Sequence, residues 1–76
     1  MLILYTKNNC KYCEKVKESF LESNVMYEER NIENEEFLEE AKSKGAKTMP
    51  FLFDTVANVT VHESEEIINY AREGAF

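Results

Sequence analysis

The chain has no tryptophan and only one proline, one histidine, two glycines and two cysteines in 76 residues. These scarcities narrow what it can be. Cys10 and Cys13 close a very short loop, so a bridge between them gains little loop-closure entropy. They are not the disulfide framework of a small secreted domain. A structural zinc site asks for four ligands. With His62 as the sole histidine, one chain would have to add a carboxylate. Basic residues are outnumbered 9 to 15, a formal net charge of −6. Nucleic acid and anionic membrane are therefore disfavoured as partners, because phosphate contacts require clustered positive charge. Long apolar runs are absent too. Leu2–Tyr5 is too short for a membrane span or a signal h-region, and no charged n-region precedes it. The expected compartment is the cytoplasm, where a Cys-x-x-Cys pair is redox-active or metal-binding rather than structural. No repeat, linker or low-complexity stretch divides the chain, and a single domain over 1–76 is expected.

The residues that are present alternate strand and helix. Leu2–Thr6 reads as a compact apolar strand. Lys7-Asn8-Asn9 reads as a loop, in which either asparagine is a candidate cap for the helix that follows. That helix is expected from about Lys11 to Ser23, with Cys13, Val16, Phe20 and Leu21 towards one face and Asn24 as its stop. Val25–Asn31 reads as a second strand. Glu33–Ser43 is a helix carrying Phe37, Leu38 and Ala41 at helical spacing, ended by Gly45. A third strand opens at Met49-Pro50-Phe51-Leu52-Phe53, with its proline at the start, where proline is tolerated. Asp54–Asn58 is a turn and Val59–Val61 a short fourth strand, the pair forming a hairpin. Glu63 or Ser64 begins a last helix with Ile67, Ile68, Tyr70 and Ala71, ended by Gly74. The order βαβαββα predicts an α/β fold: a four-stranded mixed sheet with helices on both faces. The βαβ half supplies a parallel pair with a right-handed crossover, and the hairpin an antiparallel pair.

The chemistry concentrates at Cys10-Lys11-Tyr12-Cys13. A helix opening on the first cysteine presents unpaired N–H groups and the positive end of its dipole to that sulfur, which favours the thiolate. Lys7 and Lys11 act in the same direction. Cys10 is thus the expected nucleophile on a substrate disulfide. Cys13, one turn on and more buried, is the thiol that resolves the mixed disulfide. A metal shared between two chains through paired Cys-x-x-Cys motifs is the alternative class. His62, expected at the end of the fourth strand, reads as a surface or capping residue.

With these motifs in place the sequence resembles the glutaredoxins of the thioredoxin superfamily. The resemblance covers essentially the whole chain. It rests on Leu4-Tyr5-Thr6-Lys7 before the cysteines, on Cys10-Lys11-Tyr12-Cys13, and on Lys47-Thr48-Met49-Pro50-Phe51, whose Thr-x-Pro follows about 35 residues after Cys13. It implies a thioredoxin-like fold, a dithiol thiol–disulfide oxidoreductase, and a cis Met49–Pro50 bond that presents the Met49 backbone to a substrate beside the sulfur. It implies glutathione as co-substrate, held by Lys7, Tyr12, Lys47, Thr48, Met49, Pro50, Ser64 and Glu65, with no permanently bound cofactor or metal. Protein disulfides are the implied further substrates, and a monomer the implied state.

The family pattern is broken at one place. Its Gly-Gly-Ser/Cys-Asp turn into the last helix is here His62-Glu63-Ser64-Glu65. Both glycines are missing, and Glu63 brings a negative charge to a backbone the family keeps open, so weakened glutathione recognition is expected. Ser64 and Glu65 remain candidates to cap that helix and meet the glutamyl end. A related group of redoxins donates electrons to ribonucleotide reductase and is recycled by thioredoxin reductase. That group carries a Trp-Ser-Gly-Phe-Arg-Pro stretch near this place, which a chain without tryptophan cannot match. Electron donation to ribonucleotide reductase, or carriage of a metal or iron–sulfur cluster by a dimer, stand as the alternatives.

Overall fold

A computed structural model of the chain describes residues 1–74. The single-domain reading includes two more, Ala75 and Phe76, which lie outside the described residues. The elements are β1 (Leu2–Thr6), α1 (Lys11–Glu22), β2 (Tyr27–Asn31), α2 (Glu35–Ser43), β3 (Phe51–Asp54), β4 (Val59–Val61) and α3 (Ser64–Glu73). The four strands form one mixed sheet in the order β2-β1-β3-β4. β1 runs parallel to β2, with Leu2 opposite Tyr27 and Thr6 opposite Asn31, and antiparallel to β3. β3 and β4 form the expected hairpin.

β1 is buried along its whole length because the sheet is covered on both faces. Successive side chains of a strand point to opposite faces. Leu2 and Leu4 enter a core with Val16 and Phe20 of α1 and Ile67, Ile68 and Ala71 of α3. Ile3 and Tyr5 enter a second core with Phe51 and Ala41 of α2. An uninterrupted apolar run is what a strand buried on both sides requires. Beneath the second core the Tyr5 hydroxyl donates to Glu40 at 2.9 Å, and Glu40 is ion-paired with Arg30 at 2.5 Å. Burial, then the Glu40 carboxylate, raises the Tyr5 phenol above its ordinary range.

Several boundaries differ from the sequence expectation, each for a local reason. β2 begins at Tyr27 rather than Val25. The Val25 N–H is bonded to the Phe20 carbonyl at 2.9 Å, closing α1 around Asn24 at φ 56°. Asn24 does stop α1, by this left-handed turn, and Val25 supplies the apolar contact that accompanies it. α2 begins at Glu35, not Glu33, because Asn34 caps it by accepting the Glu36 N–H at 2.9 Å. It ends as expected, with Gly45 at φ 92° and the Ala46 N–H on the Ala41 carbonyl at 3.0 Å. β3 starts after Pro50 and extends to Asp54, a residue expected to open the turn.

Leu21 is the clearest packing correction. It is 79% exposed, while its neighbour Phe20 is buried. α1 meets the sheet through Cys13, Val16 and Phe20, and Leu21 lies a further 100° round the helix, past the edge of that stripe.

Candidate active site

The site grows from the end of β1. After Thr6 the loop Lys7-Asn8-Asn9 is tied to β2 by the Asn31 amide, which donates to the Asn8 side-chain oxygen at 3.0 Å. Asn9, at φ 55°, turns the chain into α1. Asparagine tolerates this left-handed conformation better than most residues. Neither asparagine caps the helix, contrary to the sequence expectation. Cys10 is the N-cap itself, and its Sγ accepts the Cys13 backbone N–H at 3.1 Å. A sulfur in this position is stabilised as the anion by a donor aimed at it and by the helix dipole.

The two sulfurs are bridged in this structure, with Cα atoms 5.2 Å apart. Their exposures are unequal: Cys10 keeps 7% and Cys13 none. The outer sulfur is therefore the one a substrate reaches first. Across from it, Met49–Pro50 is cis, as the resemblance implies. The Met49 carbonyl oxygen lies 3.9 Å from Cys10 Sγ. Chain segments 39 residues apart in sequence thus meet at the dithiol.

Six of the eight residues singled out for glutathione line one open cleft of about 510 Å³: Lys7, Tyr12, Thr48, Met49, Pro50 and Ser64. Glu63 lines it as well, so the charge that replaces the family glycine does face this space. Tyr12 is 57% exposed, available to a ligand. Lys47 stands apart, on an adjoining hollow that shares Lys7, Thr48 and Met49 with the cleft. Glu65 also stands apart. Its carboxylate is ion-paired with Lys15 of α1, which holds it below the usual carboxylate range. Neither Ser64 nor Glu65 caps α3. The cap position is Glu63, which makes no side-chain capping bond, and Ser64 is the first helical residue. His62 is exposed and packs edge-to-face on Phe51, centroids 5.1 Å apart, in keeping with a surface role.

Sequence reasoning missed the part played by Asn9 and the self-capping of Cys10. The signal was there in the asparagine pair before the first cysteine, read as a cap rather than as a left-handed turn. It had no means of finding the Asn8–Asn31 tie, which joins residues brought together only by the β1–β2 pairing.

A dithiol at the mouth of the first helix, facing the backbone of a cis-proline turn on a mixed sheet, defines a thiol–disulfide oxidoreductase of thioredoxin-like architecture. The fold matches the crystal structure of the thioredoxin-like protein BC3987 with a TM-score of 0.76, covering 96% of this chain and 97% of that one at 20% identity. At that identity the likeness is one of fold. Sequence comparison is more specific. The Glutaredoxin family model matches residues 2–57, a span holding both cysteines and the Thr48–Pro50 turn. The chain is 35% identical to Glutaredoxin 1 of Rickettsia felis, over 96% of this chain and 74% of the relative. It is 34% identical to Glutaredoxin 1 of Rickettsia prowazekii, over 96% and 79%. The chain belongs to the glutaredoxin family, and its Cys10–Cys13 pair makes it a dithiol oxidoreductase.

Proposed function

We propose that this oxidoreductase is glutathione-dependent, with Cys10 as nucleophile, Cys13 as resolving thiol and glutathione as co-substrate in the open cleft. One observation carries the reading: Lys7, Tyr12, Thr48, Met49, Pro50 and Ser64 line a single space of about 510 Å³. Met49, on its wall, has its carbonyl 3.9 Å from Cys10 Sγ. Lysine ammonium groups suit the carboxylates of the tripeptide, and backbone of the cis-proline turn suits its extended cysteinyl unit.

The reaction balances through the two thiols. Cys10 thiolate attacks one sulfur of the substrate disulfide and the other leaves as a thiolate, which takes a proton. Cys13 then attacks Cys10 Sγ and expels the second substrate thiol. The protein ends as the Cys10–Cys13 disulfide and the substrate as two thiols. Two glutathione molecules restore the dithiol and leave as glutathione disulfide. In this reading the protein acts as a cytoplasmic monomer on glutathione mixed disulfides and protein disulfides, with no resident cofactor.

The test supplies the oxidised protein with a glutathionylated peptide and either glutathione with its reductase or thioredoxin reductase. Turnover is expected with glutathione. Turnover with thioredoxin reductase alone would overturn the assignment of reductant and favour the electron-donor alternative, with ribonucleotide reductase the substrate to try next. Glu63→Gly sharpens the test. Like charges at ~4 Å repel by about 1 kcal/mol in water, roughly a fivefold change in affinity. The variant should therefore lower KM for the glutathionylated peptide by about that factor.

A further inference from the structure

The cleft beside the dithiol is lined by one cation and one anion, Lys7 and Glu63. Neither is in an ion pair among the described residues, so the two are not paired with each other. They stand on separate segments, Lys7 in the loop after β1 and Glu63 in the turn between β4 and α3. Other exposed glutamates, Glu66 among them, also lack an ion-pair partner, but Glu63 is the only carboxylate lining this cleft. It holds the cap position of α3, yet its side chain accepts no N–H of the first helical turn. A carboxylate that caps its own helix spends an oxygen on the backbone. The Glu63 carboxylate keeps both oxygens open.

The surroundings of Glu63 suit a long cationic side chain. Tyr12 lines the same cleft from α1 and is 57% exposed, so its ring is open to contact. Lysine and arginine lay their methylene stems on apolar surface and keep the charged head in solvent. A cation close to an aromatic face gains a further attraction. The cleft is also where a substrate's chain has to lie. Met49 lines it, and the Met49 carbonyl is 3.9 Å from Cys10 Sγ. A substrate cysteine whose sulfur reaches Cys10 therefore brings its neighbouring residues into the space between Tyr12 and Glu63.

We infer that Glu63 is a specificity-determining residue for protein disulfides, selecting substrates that carry lysine or arginine beside the reactive cysteine. The inference rests on the proposed function only through the Cys10 nucleophile and is independent of glutathione. The basic side chain lies along the Tyr12 ring and brings its charge to the Glu63 carboxylate. An acidic residue at the same place is repelled. The net charge of −6 draws basic partners from a distance, within the reach that salt allows. Glu63 turns that general attraction into a choice made at the residue next to the disulfide.

The probes are short peptides with blocked ends and a central cysteine, each joined to an identical copy as a symmetric disulfide. The residues on both sides of the cysteine are arginine in the first, glutamine in the second and glutamate in the third. Reduced protein reacts with each in a single turnover, so no external reductant is needed. Cys10 thiolate attacks one peptide sulfur, and the other peptide leaves as a thiolate that takes a proton. Cys13 then expels the second peptide, leaving the protein disulfide and two peptide thiols. Each rate is divided by the rate of the same peptide with dithiothreitol, a neutral dithiol, which removes the effect of charge on the disulfide itself. The arginine peptide should react about fivefold faster than the glutamine peptide, the upper scale of an exposed charge pair, and the glutamate peptide slower than both. Glu63→Gln should abolish the preference for arginine. Glu66→Gln makes the same change of net charge outside the cleft and should keep it. Salt at 1 M, where the Debye length falls to about 3 Å, should suppress it.

Equal normalised rates for the three peptides, with a glutathionylated peptide still turned over, would overturn the role of Glu63 and leave the proposed function standing. An arginine preference that survives in Glu63→Gln, or that falls equally in Glu66→Gln, would assign the selection to overall charge and overturn it too. Failure of the reduced protein to react with any of these disulfides would overturn both readings.

Discussion

Cys10 does two jobs with one sulfur. It caps α1 by accepting the Cys13 N–H, and it holds the more exposed position of the pair. Both follow from standing at the first step of a helix. The amides of the first turn have no carbonyl partners within the helix, so they are free to stabilise an anion. Cys13, a turn inside, is fully buried and has no such first access. Cys10→Ser should therefore abolish disulfide reduction, while Cys13→Ser should retain activity on glutathione mixed disulfides, for which no resolving thiol is needed. Alkylation of the reduced wild-type protein at graded pH, with mass-spectrometric mapping, checks the order. Label should appear first on Cys10 as pH rises. Earlier labelling of Cys13 would reverse the assignment.

The β3–β4 hairpin is held by a residue expected in the turn and found in the strand. Asp54 is fully buried at the end of β3. One carboxylate oxygen accepts the N–H groups of Val56 and Ala57 at 2.9 and 3.2 Å, and the other accepts the Tyr70 hydroxyl of α3 at 2.5 Å. A buried carboxylate is tolerated because its acceptor sites are filled. The Tyr70 hydroxyl and then the two backbone donors hold Asp54 below its ordinary pKa against the cost of desolvation. The same contact raises Tyr70. The sign of the linkage follows. With the folded pKa depressed, the contribution is complete above the unfolded value of ~3.9 and is lost as pH falls through the lower folded value. Asp54→Asn keeps an acceptor for the turn amides but cannot accept from Tyr70 with its NH₂ group. It should cost about 1.5–3 kcal/mol at pH 7, each kcal/mol moving Tm by about 4–8 °C. The gap between the variant and the parent should narrow as pH falls below ~4, where the parent loses the same interaction. Thermal melts across that range measure it, and a gap that widens in acid would refute the account.

On the scale of the whole molecule, stability depends on two thin cores on either side of one sheet. The core of α1 and α3 holds Phe20, in edge contact with Tyr27 at a centroid distance of 5.0 Å. Phe20→Ala should cost about 3–5 kcal/mol, a large share of what a domain of this size has. Leu21→Ala, one residue on, should change stability by no more than about 0.5 kcal/mol. Urea titrations with equal slopes would show this contrast as a difference in midpoint. Equal losses at the two positions would mean that α1 is rotated from the placement described. That rotation was only partly legible. The 3.6-residue spacing marked Cys13, Val16 and Phe20 correctly, yet admitted Leu21, because periodicity gives the direction of an apolar stripe and not the width of the surface that covers it. While the cis Met49–Pro50 bond was implied only by the family resemblance, strand and helix order, the stops at Asn24, Gly45 and Gly74, and the dithiol were determined by the sequence. Their signals are local, carried by a residue and its neighbours within a turn or a strand. The tertiary structure alone decided that Met49 meets Cys10, that Asp54 joins the hairpin to α3, that Glu65 turns to Lys15 rather than to the cleft, and that Lys47 stands on an adjoining hollow. Each of these joins residues far apart in the chain, and depends on how helices seat on the sheet and which rotamers that seating leaves open.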